Sequence, residues 1–414
     1  LFGALTLAAV TSTRTAVAAP AWFPGTPDLT LVPSSAEIVE DDELVFQSPN
    51  PEAKRRGAAR LGARLPVFGW RTASGCQGRW LLVGAFAWLC EDRVRLSDWP
   101  ALGVGEPLSS TDALPYRYHF VGADGSFGYA SLSGAEQDVP IRQFEPGFAV
   151  AVAELQPQAS TGEPFARTSH GVWLPSRDLV PANPSTFQGA LFTEPGVALG
   201  RLAWTLEEAP VFDTRDGSPP HTTLAQFSRV EVRELVRSRR GTLAALVPSG
   251  FVAAAKLRMP RAHPAPRGLG EDERWIAVDV ATQTLVAYQG AEPWFATLVS
   301  TGRGREGSAE ATPLGEHRIW VKLISTDMTN LEDEDANSYY AIEDVPWVMF
   351  FKDGYGLHGA FWHRSFGNPR SHGCVNLSPR DAARLFHWAS PRLPTGFRAV
   401  HPTAHDEGTR VVVF

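Results

Sequence analysis

Short apolar runs, cut by Gly, Pro and polar turns, fill most of this chain, and helical periodicity is scarce. Three stretches look alike. Residues 57–98 carry Pro66-Val67-Phe68, Trp80-Leu81-Leu82-Val83, and Trp88 with Val94 six residues on. Residues 110–182 carry Gly147-Phe148-Ala149-Val150, and Trp173 with Leu179 six residues on. Residues 200–258 carry Pro210-Val211-Phe212, and Phe251 with Leu257 six residues on. Each predicts a small β-module ending in an aromatic-bearing strand and a short closing turn, and recurrence at roughly 80 residues suggests a repeated unit. One irregular β-domain without repeats is the competing reading.

Two stretches lack any such pattern. Residues 19–56 are rich in Pro, Ser and acid, including Glu40-Asp41-Asp42-Glu43, and predict a linker. Residues 259–271 hold Pro260, Pro264 and Pro266 and predict a second linker. A C-terminal domain, residues 272–402, follows. It predicts strands at 275–280, 285–288, 294–300, 317–324 and 347–351, with a turn at 281–284. One helix is expected at 378–388, with Ser378 as its cap and Pro379 in its first position. The chain therefore reads as mainly β.

At the start, the apolar run from Leu1 to Val10 precedes Ala16-Val17-Ala18, a small-x-small cleavage pattern. Residues 1–18 are expected to be the remnant of an export signal, a buried N-terminal helix being the other reading. With no Cys beside the cleavage pattern, release rather than lipid anchoring is expected. No later run reaches the roughly 18 uninterrupted apolar residues of a membrane span. At 414 residues the chain is too long for one core, and its net charge of −7 offers no field for nucleic acid.

Export changes how the three cysteines read. Cys76 and Cys90 are expected to pair as a disulfide, since no second Cys or His pair completes a zinc site beside them. Cys374 is left as a lone thiol in Ser371-His372-Gly373-Cys374-Val375-Asn376. A thiol becomes a strong nucleophile when a nearby His takes its proton. His372, two residues away, would share a face with Cys374 on a strand, and His358 would reach it from another strand or loop. Gly359 and Gly373 allow close backbone approach and leave N–H groups free to meet an oxyanion. Zinc binding by His358, His363, His372 and Cys374 fits no common ligand spacing, and an inert buried Cys is the bland alternative. Ser169-His170-Gly171-Val172 repeats the motif without its Cys and predicts only a turn.

With these residues in view, residues 275–400 resemble the YkuD-type L,D-transpeptidases, which cross-link peptidoglycan. The family pattern of His, spacer and Ser/Thr-His-Gly-Cys-hydrophobic-Asn/Arg is met by His358 and by residues 371–376. Further likenesses are Val299-Ser300-Thr301-Gly302, Thr312-Pro313-Leu314-Gly315, Val345-Pro346-Trp347, Trp362-His363 and Phe366-Gly367. The resemblance implies a β-sandwich catalytic domain in which Cys374 attacks a tetrapeptide stem, forms a thioester and releases D-Ala. His358 is then the base, and the Gly359 carbonyl orients it. Gly373 and Cys374 form the oxyanion hole, and Ser371, His372 and Asn376 bind substrate. No metal or cofactor is implied, and the partner is a peptidoglycan stem peptide. The upstream segments resemble bacterial SH3-like barrels more loosely. Water in place of an acceptor amine would make the enzyme an L,D-carboxypeptidase, and a protein amine would make it a wall-attachment enzyme. A non-catalytic wall-binding scaffold is the alternative from another class. Glu332-Asp333-Glu334-Asp335 reads as a solvated loop or a lid wall, and Arg370 and Arg380 as surface residues or ligands for a stem carboxylate. The expected location is periplasmic or wall-associated.

Overall fold

The computed structural model describes residues 34–102, 113–158, 162–216, 219–239, 241–331 and 339–414. The expected signal segment and the acidic run at 332–335 lie outside these residues. The molecule is mainly β, with a five-residue and a ten-residue α-helix among the described residues.

All three upstream units close in one way: a strand, a single 3-10 turn and a final strand. The first uses Ala87–Cys90, Glu91–Arg93 and Val94–Ser97. The second uses Trp173–Pro175, Ser176–Asp178 and Leu179–Pro181. The third uses Phe251–Ala253, Ala254–Lys256 and Leu257–Arg258. A disulfide joins Cys76 to Cys90 in the first unit.

That unit begins earlier than its composition suggests. Residues 35–56 are not a linker: Ser35–Ile38 pairs on one side with Arg64–Pro66 and on the other with Val94–Ser97, and Glu43–Phe46 pairs with Arg55–Ala59. Ala36, Ile38 and Val45 are buried in the unit's core. The acidic run supplies the turn between two strands, with Asp42 at φ 59°. Asp is among the few side chains that tolerate that backbone region, so composition here marks a turn.

The C-terminal domain has two sheets packed over one core. The first sheet runs, in spatial order, Ala190–Leu191, Glu292–Leu298, Thr284–Gln289, Arg274–Asp279, Arg410–Val413 and Gly315–Arg318. The expected end at 402 is therefore too early, because Arg410–Val413 sits inside this sheet with Val411 and Val413 buried. The expected strand at 317–324 is two: Gly315–Arg318 stays in the first sheet and Val321–Thr329 turns into the second. The second sheet continues through Ala341–Lys352, Tyr355–Gly359 and Val375–Leu377. Ile276, Phe295, Trp347, Leu357, Val375 and Phe386 are part of the apolar layer between them.

Helix Pro379–Trp388 closes that layer, as its cap signals predict. Ser378 Oγ accepts the Asp381 N–H at its start. At its end the buried Lys322 ammonium donates to the carbonyls of Phe386 and Ala389, groups a helix terminus leaves without partners.

The upstream units are bonded into this domain. Arg55–Ala59 pairs with Phe397–Val400, and at Gly57 a Cβ would lie 2.1 Å from the Ala399 carbonyl oxygen. The Ser169-His170-Gly171 turn of the second unit docks on the second sheet. Ser169 Oγ donates to Asp344, and His170 Nε2 lies 3.2 Å from Asp327 Oδ1 and 3.7 Å from Asp344 Oδ2.

The Asp327 hydrogen bond is the chief cause holding the His170 imidazolium to about pH 9, against an ordinary value of 6.5. The pairing therefore adds stability in full below pH 6.5, and that stability is lost as pH rises through about 9. The melting temperature of His170→Ala should fall furthest below wild type at mildly acidic pH, and the gap should close above pH 9. A gap that does not change with pH would show that His170 holds the unit by packing alone.

Candidate active site

The segment 370–376 is gripped from one side by the residues that follow strand Glu292–Leu298 of the first sheet. Ser371 N–H donates to the Thr301 carbonyl, Arg303 N–H donates back to the Ser371 carbonyl, and Ser300 and Asn376 exchange two backbone bonds of 2.9 Å. On the other side, Leu357, His358 and Gly359 pair in parallel with Val375, Asn376 and Leu377. Paired residues of adjacent strands point to the same face, and so do residues i and i+2. His358 and Asn376 therefore share one face, and Cys374 lies in the turn immediately before Val375–Leu377.

The turn before Cys374 is shaped by Gly373 at φ 120°. A Cβ there would stand 2.4 Å from the Tyr355 ring. Ser371 Oγ braces the turn by accepting the Gly373 N–H at 3.1 Å and donating to the Cys374 carbonyl at 2.5 Å. Thr312 Oγ1 ties it to the clamp, accepting the Gly302 N–H at 2.9 Å and donating to the Gly373 carbonyl at 2.8 Å.

Cys374 is half-buried, and its Sγ lies 3.7 Å from the Gly354 carbonyl. Burial pushes the thiol up from its ordinary value, and the Gly356 N–H beside the sulfur offsets this in part. His358 is buried, and desolvation pulls it down to about 4. Its Nδ1 lies 3.3 Å from the Gly359 carbonyl, which can only accept, so Nδ1 carries the proton and Nε2 is the free base. Among the described residues no hydrogen bond joins Sγ to His358. At neutral pH the resting pair is a thiol and an uncharged imidazole.

Residues 273–413 match the YkuD family model, the L,D-transpeptidase catalytic domain. No curated protein matches the chain at a significant level. Similar solved structures include an L,D-transpeptidase from Xylanimonas cellulosilytica (22% identity over 37% of this chain and 64% of that one, TM-score 0.25). The catalytic domain of the E. faecium L,D-transpeptidase is 23% identical over 34% of this chain and 98% of its own, with a TM-score of 0.26. An L,D-transpeptidase from Mycobacterium smegmatis is 14% identical over 64% of this chain and 99% of its own, with a TM-score of 0.26. The chain thus spans just under two thirds of the first of these.

Within the matched region, His358 and Asn376 are ladder partners, Gly359 follows His358 in its strand, and Cys374 sits in the turn two residues before Asn376. Two other residues do not behave as expected. Gly373 N–H is already donated to Ser371 Oγ, which leaves Cys374 as the remaining donor of the expected oxyanion pair. For His372, the strand alternation expected through Cys374 is interrupted by the positive φ at Gly373. Its ring instead stacks on Tyr340, 5.5 Å away at an interplanar angle of 8°, and accepts from Arg303 Nη2 at 2.6 Å. Ser371 is buried and bonded within its own turn. Sequence reasoning did not assign Thr312 or Tyr355 a part in the site. The sequence around Thr312 shows a likeness to the family, while nothing local marks Tyr355 as the ring covering Gly373.

Gly373→Ala should leave the domain folded and lower Cys374 acylation by at least about tenfold, since the clash must displace the nucleophile's own backbone. Unchanged acylation would mean that the turn gives way freely. Iodoacetamide alkylation of Cys374 should keep rising beyond pH 9, the thiol's ordinary value, without an acid-side plateau. A plateau near neutral pH would reveal a preformed thiolate and contradict the neutral pair.

Proposed function

We propose that the protein is an exported L,D-transpeptidase that cross-links peptidoglycan stem peptides through a thioester on Cys374. The observation that supports this reading is the pairing of His358 with Asn376, two residues beyond Cys374, with the imidazole's free nitrogen set by the Gly359 carbonyl. His358 takes the thiol proton as Sγ adds to the carbonyl preceding the terminal D-Ala of a tetrapeptide stem. The tetrahedral oxyanion meets the Cys374 N–H. Collapse breaks the amide C–N bond, and the imidazolium passes its proton to the departing D-Ala amine. The side-chain amine of a second stem then attacks the thioester. Its proton goes to His358 and on to the leaving thiolate, so the thiol and the free base are restored.

Asn376 binds the stem beside the nucleophile, while Ser371 and His372 shape the turn and the wall of the cleft. The upstream units, read as SH3-like modules, hold the enzyme at the wall. The acceptor amine, rather than water, is the favoured partner of the thioester.

Incubation with disaccharide-tetrapeptide, followed by chromatography, tests this. Cross-linked dimers and free D-Ala are expected from the wild type, and neither from Cys374→Ser. Tripeptide without dimers would make the enzyme a carboxypeptidase. Turnover surviving in Cys374→Ser would remove the thioester.

A further inference from the structure

His363 takes no part in the acyl-transfer steps above, yet it is buried in the same cleft, its ring 4.8 Å from that of Phe366. Its protonation is set by its neighbours. The Ser365 backbone N–H lies 3.2 Å from Nδ1, and a backbone N–H can only donate. Burial, with Arg370 and His358 nearby, keeps the ring uncharged down to about pH 4. In an uncharged imidazole one nitrogen accepts and the other donates. Nδ1 accepts, so Nε2 carries the proton and needs an acceptor.

The group facing Nε2 is the Asn376 amide, with its nitrogen at 3.0 Å and its Oδ1 buried without a partner. With Nδ2 toward Nε2, two donors meet and the amide's one acceptor is left empty. A half-turn of the amide removes both conflicts, because its oxygen and nitrogen exchange places. Oδ1 then accepts the Nε2 proton, and the NH2 group occupies the buried position that has no protein partner. Asn376 is the ladder partner of His358 and lies two residues beyond Cys374.

We infer that His363 is a positioning residue: its Nε2–H holds the Asn376 amide so that the buried, unpartnered NH2 group is left to donate to a carbonyl oxygen of the peptide acyl donor. This rests on the acyl-transfer reading above and adds to it how the donor peptide is held. A buried amide NH2 without an acceptor is costly, so the group is matched to a ligand that brings one. Stem peptides bring carbonyl oxygens.

The full chain and three variants test the inference. Imidazole nitrogen NMR of the wild type should show His363 protonated at Nε2 and bare at Nδ1. His363→Leu should raise KM for disaccharide-tetrapeptide about tenfold, the loss of one neutral hydrogen bond, with kcat changed by less than about twofold. His363→Gln can accept from the Ser365 N–H and donate to Asn376 Oδ1, and it should recover most of that loss. Asn376→Asp accepts from Nε2–H but offers no N–H, and it should raise KM as His363→Leu does. Alkylation of Cys374 by iodoacetamide should be alike in wild type and both His363 variants, which also shows that the cleft remains folded. A proton on Nδ1, an unchanged KM in His363→Leu, or a Gln variant no better than Leu would overturn the inference. If the wild type turns over no stem peptide, the acyl-transfer reading fails instead, and the NMR result still decides how His363 and Asn376 are arranged.

Discussion

The site depends on a parallel pairing of three residues, Leu357, His358 and Gly359 against Val375, Asn376 and Leu377. Side chains alternate along a strand, so a slip of one residue would send His358 to the face opposite Asn376. So short a pairing is weak alone. It is fixed because Tyr355–Gly359 is also bonded to the long strand Ala341–Lys352, and because the far edge of 370–376 is locked to residues 300–303. Cys374 thus sits on a turn held between two strands, and the small residues there are dictated by space. Gly373 has the Tyr355 ring against its α-carbon and can carry no side chain without moving it.

Burial sets the electrostatics of the pair. It disfavours the thiolate of Cys374 and the imidazolium of His358 alike, and among the described residues no carboxylate bonds to the imidazole to reverse that. A carbonyl orients the ring without adding charge, so His358 stays a free base at rest. In the proposed acyl transfer, charge separation is then deferred to the moment when a bound carbonyl meets the sulfur and the oxyanion can be stabilised. His363 follows the same pattern: a second buried, uncharged imidazole set by a backbone group and turned to hold an amide.

Much of this was legible in the sequence because the decisive residues lie close together along the chain. The turn and Cys374 fall within six consecutive residues, and the helix beyond them is announced by Ser378 and Pro379. The recurring aromatic-plus-six spacing matches three identical closing turns. What failed to show were features made by distant parts of the chain. The acidic residues at 40–43 look like a linker until Ala36 and Ile38 are seen buried across the turn from Val45. Val411 and Val413 read as a tail until they are placed between Arg274–Asp279 and Gly315–Arg318. Ser169-His170 repeats the catalytic letters, yet its His binds Asp327 and Asp344, acids more than 150 residues away. The same holds for His372, whose position two residues from Cys374 suggests a strand alternation that one positive φ interrupts.

The account stands or falls on a covalent link between the stem and Cys374. The direct measurement is the intact mass of the enzyme, acid-quenched during turnover of disaccharide-tetrapeptide, followed by peptide mapping. The predicted result is a mass increase equal to the stem less D-Ala, on the peptide that contains Cys374 and labile to hydroxylamine as a thioester is. Product formation with no such adduct, or an adduct mapping to another residue, would contradict it.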